Sequence, residues 1–301
     1  MRRFLILSCV AWCLGLPGAL RAQSLAFTFD DGFDSRAEPR ADALNRQLLA
    51  ALADRRVKSM LFPAGKYADD AAGRARVAAW SGAGHAIGNH TYAHDSLGVA
   101  QTTASGFGDD VMHADRLLAD LPGWHQFLRF PYLKEGETVA KRDGFRAWMR
   151  DHGYRPAPVS IDTSDWYYSE RYVQLISRGR EDLVPAFKRA YLEHLWGRAT
   201  YYDGLAGTVI GRSPLHVVLL HVNALNAACI GEVIDMFRAK QWTVIDPIAA
   251  FDDPLYAQEP QFVPAGESIL WALAKDAGLP GLRYPGEEYI YEQPGLDALG
   301  F

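Results

Sequence analysis

The chain has 301 residues, of which 49% are hydrophobic and 22% are charged. This length and composition exclude a disordered or fibrous protein and predict one large globular domain or two small ones. The formal net charge is -5 at pH 7, and the basic residues form no cluster. The charge pattern therefore excludes the electropositive surface by which nucleic-acid-binding proteins are recognised.

The first residues of the chain have the three parts of a secretory signal peptide. Arg2 and Arg3 precede an apolar run, and small residues follow it before the expected cleavage point. The apolar run is too short to span a bilayer as a helix. We therefore predict a signal peptide over 1–22, with cleavage near Ala22 or Gln23. The protein would then be secreted or periplasmic, with no membrane span after cleavage.

Cleavage leaves the mature chain with a single cysteine. Cys9 and Cys13 lie within the predicted signal peptide, so Cys229 has no intramolecular disulfide partner. The same cleavage removes three arginines and no acid, which changes the formal net charge from -5 to -8 (-5 minus 3). We therefore predict a mildly acidic exported protein, a monomer, whose fold does not depend on disulfides.

From residue 25 onward, short apolar runs alternate with longer segments of helical period. The predicted strands are 25–29, 57–62, 85–89, 127–130, 158–161, 216–222 and 242–245. The predicted helices between them are 41–54, 107–121, 143–152, 181–200 and 231–240. This alternation predicts a parallel sheet closed into an α/β barrel, with an open doubly wound sheet as the alternative.

The first predicted strand ends on two acids and a glycine, Asp30, Asp31 and Gly32. Because glycine permits a sharp turn, both carboxylates are expected at the carboxyl end of this strand. One of them could bind a metal while the other transfers a proton. Asp-Asp-Gly is also ordinary turn chemistry, so the motif alone leaves both interpretations open.

Two histidines, His90 and His94, follow the third predicted strand. Their spacing predicts that both imidazoles lie on one face of a helical turn, an arrangement that chelates divalent transition metals. Histidines at this spacing also occur as capping or packing residues. The pair alone therefore does not decide between a metal site and a structural role.

Further polar groups follow the next three predicted strands: Arg129-Phe130-Pro131-Tyr132, Asp162-Thr163-Ser164-Asp165-Trp166, and His221. Taken singly, the arginine could form a surface ion pair, the acids could form turns, and the histidine could lie in the core. In parallel barrels, however, the active site is built at the carboxyl ends of the strands, where all these groups are expected. The sequence therefore predicts one active site at this end of the barrel.

The order, spacing and type of these residues resemble the five motifs of the polysaccharide deacetylases, also called carbohydrate esterase family 4 or the NodB-homology group. The motifs are Thr28-Phe29-Asp30-Asp31-Gly32, His90-Thr91-Tyr92-Ala93-His94, Arg129-Phe130-Pro131-Tyr132, Asp162-Thr163-Ser164-Asp165-Trp166 and Leu220-His221. The resemblance covers residues 25–250. It implies a deformed (β/α)7 barrel, of the α/β class, and hydrolysis of N-acetyl groups on amino sugars.

The resemblance also implies a metal centre. By this analogy Asp31, His90 and His94 would ligate one divalent metal ion, with zinc expected and cobalt, nickel, iron or manganese as alternatives. A site with two histidines and one carboxylate leaves coordination positions open for water and for the carbonyl oxygen of a substrate.

Proton transfer would then be shared by two further residues. By the same analogy Asp30 is the general base and His221 the general acid, while Arg129 orients Asp30 and Asp165 pairs with His221. Arg129 is expected to keep Asp30 ionised, and Asp165 is expected to favour protonated His221.

Two residues of the third and fourth motifs are expected to contact the substrate. The backbone N–H of Tyr132, which follows the conformationally fixed Pro131, is a candidate donor to the developing oxyanion. The side chains of Tyr132 and Trp166 could wall the pocket and stack on a sugar ring or an acetyl methyl. Either aromatic could equally be an ordinary core residue.

We expect the catalytic domain to occupy 23–253, including an inserted helical segment at 167–215, and a C-terminal extension at 254–301 to pack on it. Both ends of the insertion are tethered at the catalytic end of the barrel. The sequence therefore predicts that 167–215, assisted by the extension, forms a wall over the metal cleft. A structural role on the outside of the barrel is the alternative.

The predicted activity is the metal-dependent removal of N-acetyl or O-acetyl groups from an amino-sugar glycan. Peptidoglycan, chitin oligomers, exopolysaccharide and xylan all remain open as substrates. Two other classes compete with this activity: a metallohydrolase of small non-glycan amides on the same barrel, and a non-catalytic carbohydrate-binding protein. The chain retains every residue of the predicted machinery, which favours an enzyme.

Overall fold

A computed structural model describes residues 23–301, so the predicted signal peptide at 1–22, with Cys9 and Cys13, lies outside the described part of the chain. Residues 23–301 contain nine strands: β1 Ser24–Asp31, β2 Met60–Pro63, β3 Ala86–Asn89, β4 Trp124–Leu128, β5 Lys134–Gly136, β6 Arg155–Pro156, β7 Leu215–His221, β8 Thr243–Val244 and β9 Ala265–Gly266. Ten α-helices accompany them: α1 Ala41–Asp54, α2 Ala71–Gly82, α3 Ala104–Leu118, α4 Val139–Asp151, α5 Asp165–Ser177, α6 Val184–Ile210, α7 Ala224–Ala239, α8 Pro247–Phe251, α9 Ile269–Asp276 and α10 Tyr289–Ala298.

Seven of the strands form one parallel sheet in the order β6-β4-β3-β2-β1-β7, with β8 paired to the start of β1. The segment after β6 links the two edges of this sheet. Its Ala157 N–H donates to Leu128 of β4, and its Ile161 forms a parallel bridge with Val218 of β7. The sheet is therefore curled into a deformed barrel, as predicted.

The segment of the fifth predicted strand, 158–161, is the least regular part of the sheet. Only Arg155–Pro156 forms a strand, and the chain reaches β7 through an isolated bridge at Ile161. Pro156 and Pro158 cause this interruption because proline has no N–H to donate to a strand neighbour. The barrel is deformed at this point.

The pattern of apolar residues along the strands and helices explains which side chains form the hydrophobic core. The strands β1 and β7 are buried along almost their whole length, as expected for a parallel sheet covered by helices. Helix α1 begins and ends where predicted and buries Leu44, Leu48 and Leu52 against the barrel. It also packs against α7, so the helices form a layer around the sheet.

The insertion at 167–215 consists mainly of two helices. Helix α5 starts at Asp165, and the long helix α6 packs against α7 and α9. Phe187, Tyr191 and Leu195 of α6 are buried in the main hydrophobic core. The insertion is thus part of the helical layer of the barrel.

The C-terminal extension packs on the same core, although the boundary at 253/254 remains a prediction. Its β9 pairs antiparallel with β5, and Trp271 of α9 is buried. Leu296 of α10 also reaches the core. Among the helices of residues 23–301, none has the length and hydrophobicity required to cross a membrane.

Candidate active site

The carboxyl ends of β1, β3, β4 and β7 meet at one end of the barrel and surround a cavity of about 780 Å³. Its lining includes the following predicted site residues: Asp30, Asp31, His90, His94, Tyr132, Trp166 and His221. Arg129 and Asp165 are buried directly behind this lining. The structure therefore brings together all nine predicted site residues.

Asp31, His90 and His94 form a compact group of metal-ligating atoms. One ligand atom from each residue lies within 4.8 Å of the others. Asp31 Oδ1 is 3.2 Å from His94 Nε2 and 3.7 Å from His90 Nε2. This oxygen is buried and accepts no hydrogen bond. A buried carboxylate oxygen without a donor, facing two imidazole nitrogens, fits a divalent cation.

The protonation of His90 also suits a metal ligand. Its Nδ1 lies 2.7 Å from the backbone carbonyl of Arg129, to which it can donate a hydrogen bond. This bond leaves Nε2 facing Asp31 as the lone-pair nitrogen. Burial, followed by the nearby His94, lowers the pKa of His90 well below its ordinary value. His90 is therefore neutral, which is the form that binds metals.

The predicted helical turn between the histidines is wrong. Residues 90–94 form a loop in which Thr91 and His94 have left-handed φ angles of 62° and 61°. Asn89 Oδ1 accepts a hydrogen bond from Thr91 N–H. The carboxylate of Asp110, on α3, accepts hydrogen bonds from the backbone N–H groups of residues 92 and 93. These side-chain acceptors compensate the backbone of a conformation that the spacing alone does not predict.

Asp30 forms a buried ion pair with Arg129. Arg129 Nη1 donates to both carboxylate oxygens, at 3.0 and 3.1 Å, and the two residues are 2% and 0% exposed. Arg129 also donates to Thr28 Oγ1 and to the carbonyl of Ala157. Burial raises the pKa of Asp30, and the charge of Arg129 only opposes this effect. Arg129 therefore favours the ionised form of Asp30, while desolvation is the larger influence on its pKa.

His221 forms a close pair with Asp165. The distance from His221 Nδ1 to Asp165 Oδ1 is 2.6 Å, and Asp165 is buried. Burial alone would lower the pKa of His221, but the charge and hydrogen bond of Asp165 raise it to about 10. The pair therefore favours protonated His221, with Nε2 as the ring nitrogen that Asp165 does not engage.

Asparagines that the sequence reasoning missed complete the environment of Asp165. Its Oδ2 accepts hydrogen bonds from His221 N–H, Asn223 Nδ2 and Asn226 Nδ2, at 2.8, 3.0 and 2.6 Å. Tyr191 of α6 in turn donates to Asn226 Oδ1 at 2.7 Å. Asn223 could have been recognised as the N-cap of α7, but Tyr191 and Asn226 carry no sequence signal.

Tyr132 and Trp166 are exposed at the mouth of the cavity. Tyr132 is 62% exposed, has a left-handed φ of 57°, and places its ring 4.7 Å from the ring of His94. Trp166, on the first turn of α5, is 40% exposed. Both aromatics therefore lie on the surface of the cleft and not in the core.

Unfavourable backbone conformations are concentrated around this cleft. Nine non-glycine residues of the described chain have positive φ. Seven belong to the cavity lining or to segments next to it: Asp31, Thr91, His94, Tyr132, Leu133, Ser164 and Glu267. Such conformations persist only where the surrounding structure enforces them, and they cluster at functional sites.

The wall of the cleft is built differently from the prediction. Among the described residues, none of 167–215 lines the cavity, whereas the C-terminal extension contributes Glu267, Pro285, Glu287 and Glu288. The predicted wall at 167–215 is therefore wrong. The two helices of the insertion are long enough to run along the barrel, where their apolar faces are buried.

The insertion instead holds this C-terminal wall in place. Arg198 and Tyr202 of α6 both bond to the carboxylate of Glu287, which is almost completely buried. On the opposite side, Glu267 pairs with Lys134 of β5 and accepts a hydrogen bond from Gly286 N–H at 2.9 Å. The wall is thus fixed between the insertion and the segment that follows Tyr132.

Comparison with known proteins agrees with this geometry. Residues 18–156 match the family model described as polysaccharide deacetylase. Over these residues the chain is therefore similar to the polysaccharide deacetylase family. The match includes the first three motifs, whereas Asp165 and His221 lie beyond it. The predicted family is confirmed.

One curated relative and two solved structures extend the comparison. A peptidoglycan-N-acetylglucosamine deacetylase from Bacillus cereus is 29% identical over 156 residues, which cover 52% of this chain and 50% of the relative. The chain thus matches half the length of that curated relative. A CE4 family pseudoenzyme from Bacillus anthracis has a TM-score of 0.52 at 13% identity, with 77% of this chain and 66% of that chain covered.

A mutant of that pseudoenzyme with restored enzymatic activity has a TM-score of 0.54 at 15% identity, covering 77% of this chain and 68% of that chain. At these identities the two structures show the fold alone. They confirm the predicted deformed (β/α)7 barrel.

Proposed function

We propose that this protein is an exported, metal-dependent deacetylase that removes N-acetyl groups from an amino-sugar glycan. The observation that carries the proposal is the convergence in one cavity of a metal-ligating triad and two different proton-transfer groups. Amide hydrolysis needs all three: charge stabilisation, a base for water, and an acid for the leaving nitrogen.

Asp31, His90 and His94 would hold the ion, with zinc as the preferred metal. A divalent ion bound there supplies Lewis-acid polarisation of the acetyl carbonyl and lowers the pKa of a water molecule. His90 is already oriented for this role by its bond to the carbonyl of Arg129. The loop bonds made by Asp110 fix the position of His94 relative to Asp31.

Asp30 acts as the general base. Its two oxygens are held by Arg129 Nη1, so the carboxylate has a fixed orientation beside the triad. Burial raises the pKa of Asp30 and therefore its affinity for a proton, which favours general-base catalysis near neutral pH. The ion pair with Arg129 keeps the carboxylate available to accept a proton from water.

His221 acts as the general acid. With Nδ1 engaged by Asp165, the proton on Nε2 can pass to the nitrogen of the acetamido group as its C–N bond breaks. The products are acetate and a free amino sugar. Tyr132 N–H would donate to the oxyanion, and the rings of Tyr132 and Trp166 would stack on the sugar.

Acetate release from a panel of acetylated glycans tests this function. The mature chain, loaded with zinc, should release acetate from at least one N-acetylated oligosaccharide and leave a free amine. Hydrolysis of small-molecule amides, without acetate release from any glycan, would favour a metallohydrolase of non-glycan amides. Binding of the glycans without any acetate would identify a non-catalytic carbohydrate-binding protein. We also propose export and a monomeric state, which secretion assays and sedimentation can test.

A further inference from the structure

The wall built by the C-terminal extension has a charge that bears on which glycans the cavity accepts. This cavity is a ligand site on independent grounds, because it contains the metal-ligating triad and the unsatisfied oxygen of Asp31. The wall residues line the same space as the strand ends. A substrate that reaches the triad with more than one sugar therefore also contacts the wall.

The charges in the lining are unbalanced. Among the residues that the structure describes, Lys134 is the single lysine or arginine of the lining, and it is paired with Glu267. Among residues 23–301, three lining carboxylates have no cationic side chain within ion-pair distance: Asp95, Asp162 and Glu288. Two of these carboxylates are bonded only to the backbone N–H of the next residue: Asp162 to that of residue 163 and Glu288 to that of residue 289.

A bound divalent ion does not cancel this excess. Asp31 neutralises one of its two charges, so one positive charge remains against three unpaired carboxylates. Burial, followed by the charge of Glu267, raises the pKa of Asp162 to about 6. Asp162 is consequently still mostly ionised at pH 7. In a partly enclosed cavity such charges act on a ligand more strongly than they would in open water.

Building on the proposed deacetylase function, we propose that Glu288 of this wall, together with Asp95 and Asp162 of the same lining, selects glycans that are neutral or carry a free amino group beside the acetylated sugar, and disfavours glycans that carry carboxylates there. Carboxylate oxygens accept hydrogen bonds from sugar hydroxyls, and they attract an ammonium group while repelling an anion. Acidic peptides, lactyl groups and uronic acids next to the reacting sugar are therefore unfavourable.

This selectivity has a consequence for the order of reaction. Each turnover replaces an uncharged acetamido group with an amine that is protonated in part near pH 7. An amino sugar formed in one turnover can then bind the wall while its neighbour is presented to the triad. The preferred substrate is thus an N-acetylated amino-sugar oligomer that is already partly deacetylated.

Three matched oligosaccharides test the inference. They are a fully N-acetylated glucosamine tetramer, the same tetramer with one free amine, and the same tetramer oxidised to a carboxylate at its reducing end. Acetate release at pH 7 should give a kcat/KM for the amine that exceeds that for the carboxylate by roughly threefold or more. The difference should shrink between about 0.01 M and about 1 M salt, because the Debye length falls from about 30 Å to about 3 Å.

Two variants with the same change in net charge localise the effect. Glu288→Lys should lower the ratio of kcat/KM for the amine tetramer to kcat/KM for the carboxylate tetramer. Glu181 is exposed and lies outside the cavity, so Glu181→Lys should leave this ratio unchanged. Glu288 also caps α10, so Glu288→Gln is the second wall variant because it removes the charge and keeps an acceptor. Thermal unfolding of each variant verifies that the wall remains folded.

The possible failures are distinguishable. Equal kcat/KM for all three tetramers, or a ratio that Glu181→Lys changes as much as Glu288→Lys does, would overturn the charge selectivity and leave the deacetylase function intact. Absence of acetate from every tetramer and every other acetylated glycan would overturn both.

Discussion

Replacing Asp30 with asparagine should remove both turnover and a large part of the stability. Asp30→Asn eliminates the general base, for which a loss of roughly 10²–10⁴-fold in kcat is expected. It also leaves Arg129, which is fully buried, without its counterion. Removing one partner of a buried ion pair typically destabilises a protein by about 3–5 kcal/mol. Denaturant unfolding and acetate release measure the two effects separately.

A double variant tests whether the unpaired, buried Arg129 is the cause of the lost stability. Arg129→Met combined with Asp30→Asn removes the unpaired cation and should recover part of the lost unfolding free energy without restoring activity. Metal content should stay near that of the wild type in both variants, because Asp30 is not a proposed ligand. Wild-type stability of Asp30→Asn, or no coupling between the two substitutions, would refute the buried ion pair. Wild-type turnover would remove Asp30 from the mechanism.

Three further predictions follow from other contacts. His94→Ala should lose metal and activity together, as elemental analysis and acetate release can show; full metal occupancy would contradict the ligand set. Tyr191→Phe leaves the buried side-chain carbonyl of Asn226 without its hydrogen-bond donor. This variant should lower the free energy of unfolding by about 1–3 kcal/mol and reduce kcat at unchanged metal content. The control Tyr201→Phe, on the exposed face of α6, should change neither the unfolding free energy nor kcat. Burial, followed by the charge of Lys58, lowers the pKa of His85 to about 4. As the pH falls, His85 therefore binds a proton in the unfolded protein before it does so in the folded protein. The free energy of unfolding should consequently fall by roughly 3 kcal/mol between about pH 6.5 and pH 4. Denaturant unfolding of His85→Gln should show a weaker fall over this window, and an identical pH profile would exclude the histidine as its cause.

The convergence of the site was predictable because parallel strands present their carboxyl ends at one edge. Asp30, His90 and His221 each lie at the end of an apolar run, so their meeting depends only on the strands being parallel members of one curled sheet. The pairing of Arg129 with Asp30 was available only from the family resemblance. The structure places these atoms within hydrogen-bonding distance.

The wall could not be predicted because it depends on long-range pairing of very short segments. Strand β9 has two residues and β5 has three, too few for any hydrophobic period to be visible. The contact between Glu267 and Lys134 joins positions 133 residues apart in the chain. The tethered ends of 167–215 suggested a wall, but large aromatic side chains of this segment, including Phe187, Tyr191 and Tyr202, are buried in the helical layer.

The loop from His90 to His94 was mispredicted for a local reason. Spacing alone favours a helical turn, whereas Thr91 and His94 adopt left-handed conformations that β-branched and bulky residues rarely take. The acceptor that stabilises this loop, Asp110, lies on the next helix, 17 residues beyond Ala93, which is too far for the local spacing to reveal it. Sequence spacing therefore identified the ligands but not the backbone that presents them.

Metal titration coupled to acetate release tests the proposed chemistry most directly. Chelator-treated mature protein should release no acetate from an N-acetylated glucosamine oligomer, and activity should rise with added zinc and saturate at one ion per chain. Asp31→Ala should bind no ion and remain inactive throughout the titration. Undiminished acetate release from the metal-free protein, or no acetate from any acetylated glycan at full occupancy of the Asp31, His90 and His94 site, would contradict a metal-dependent deacetylase.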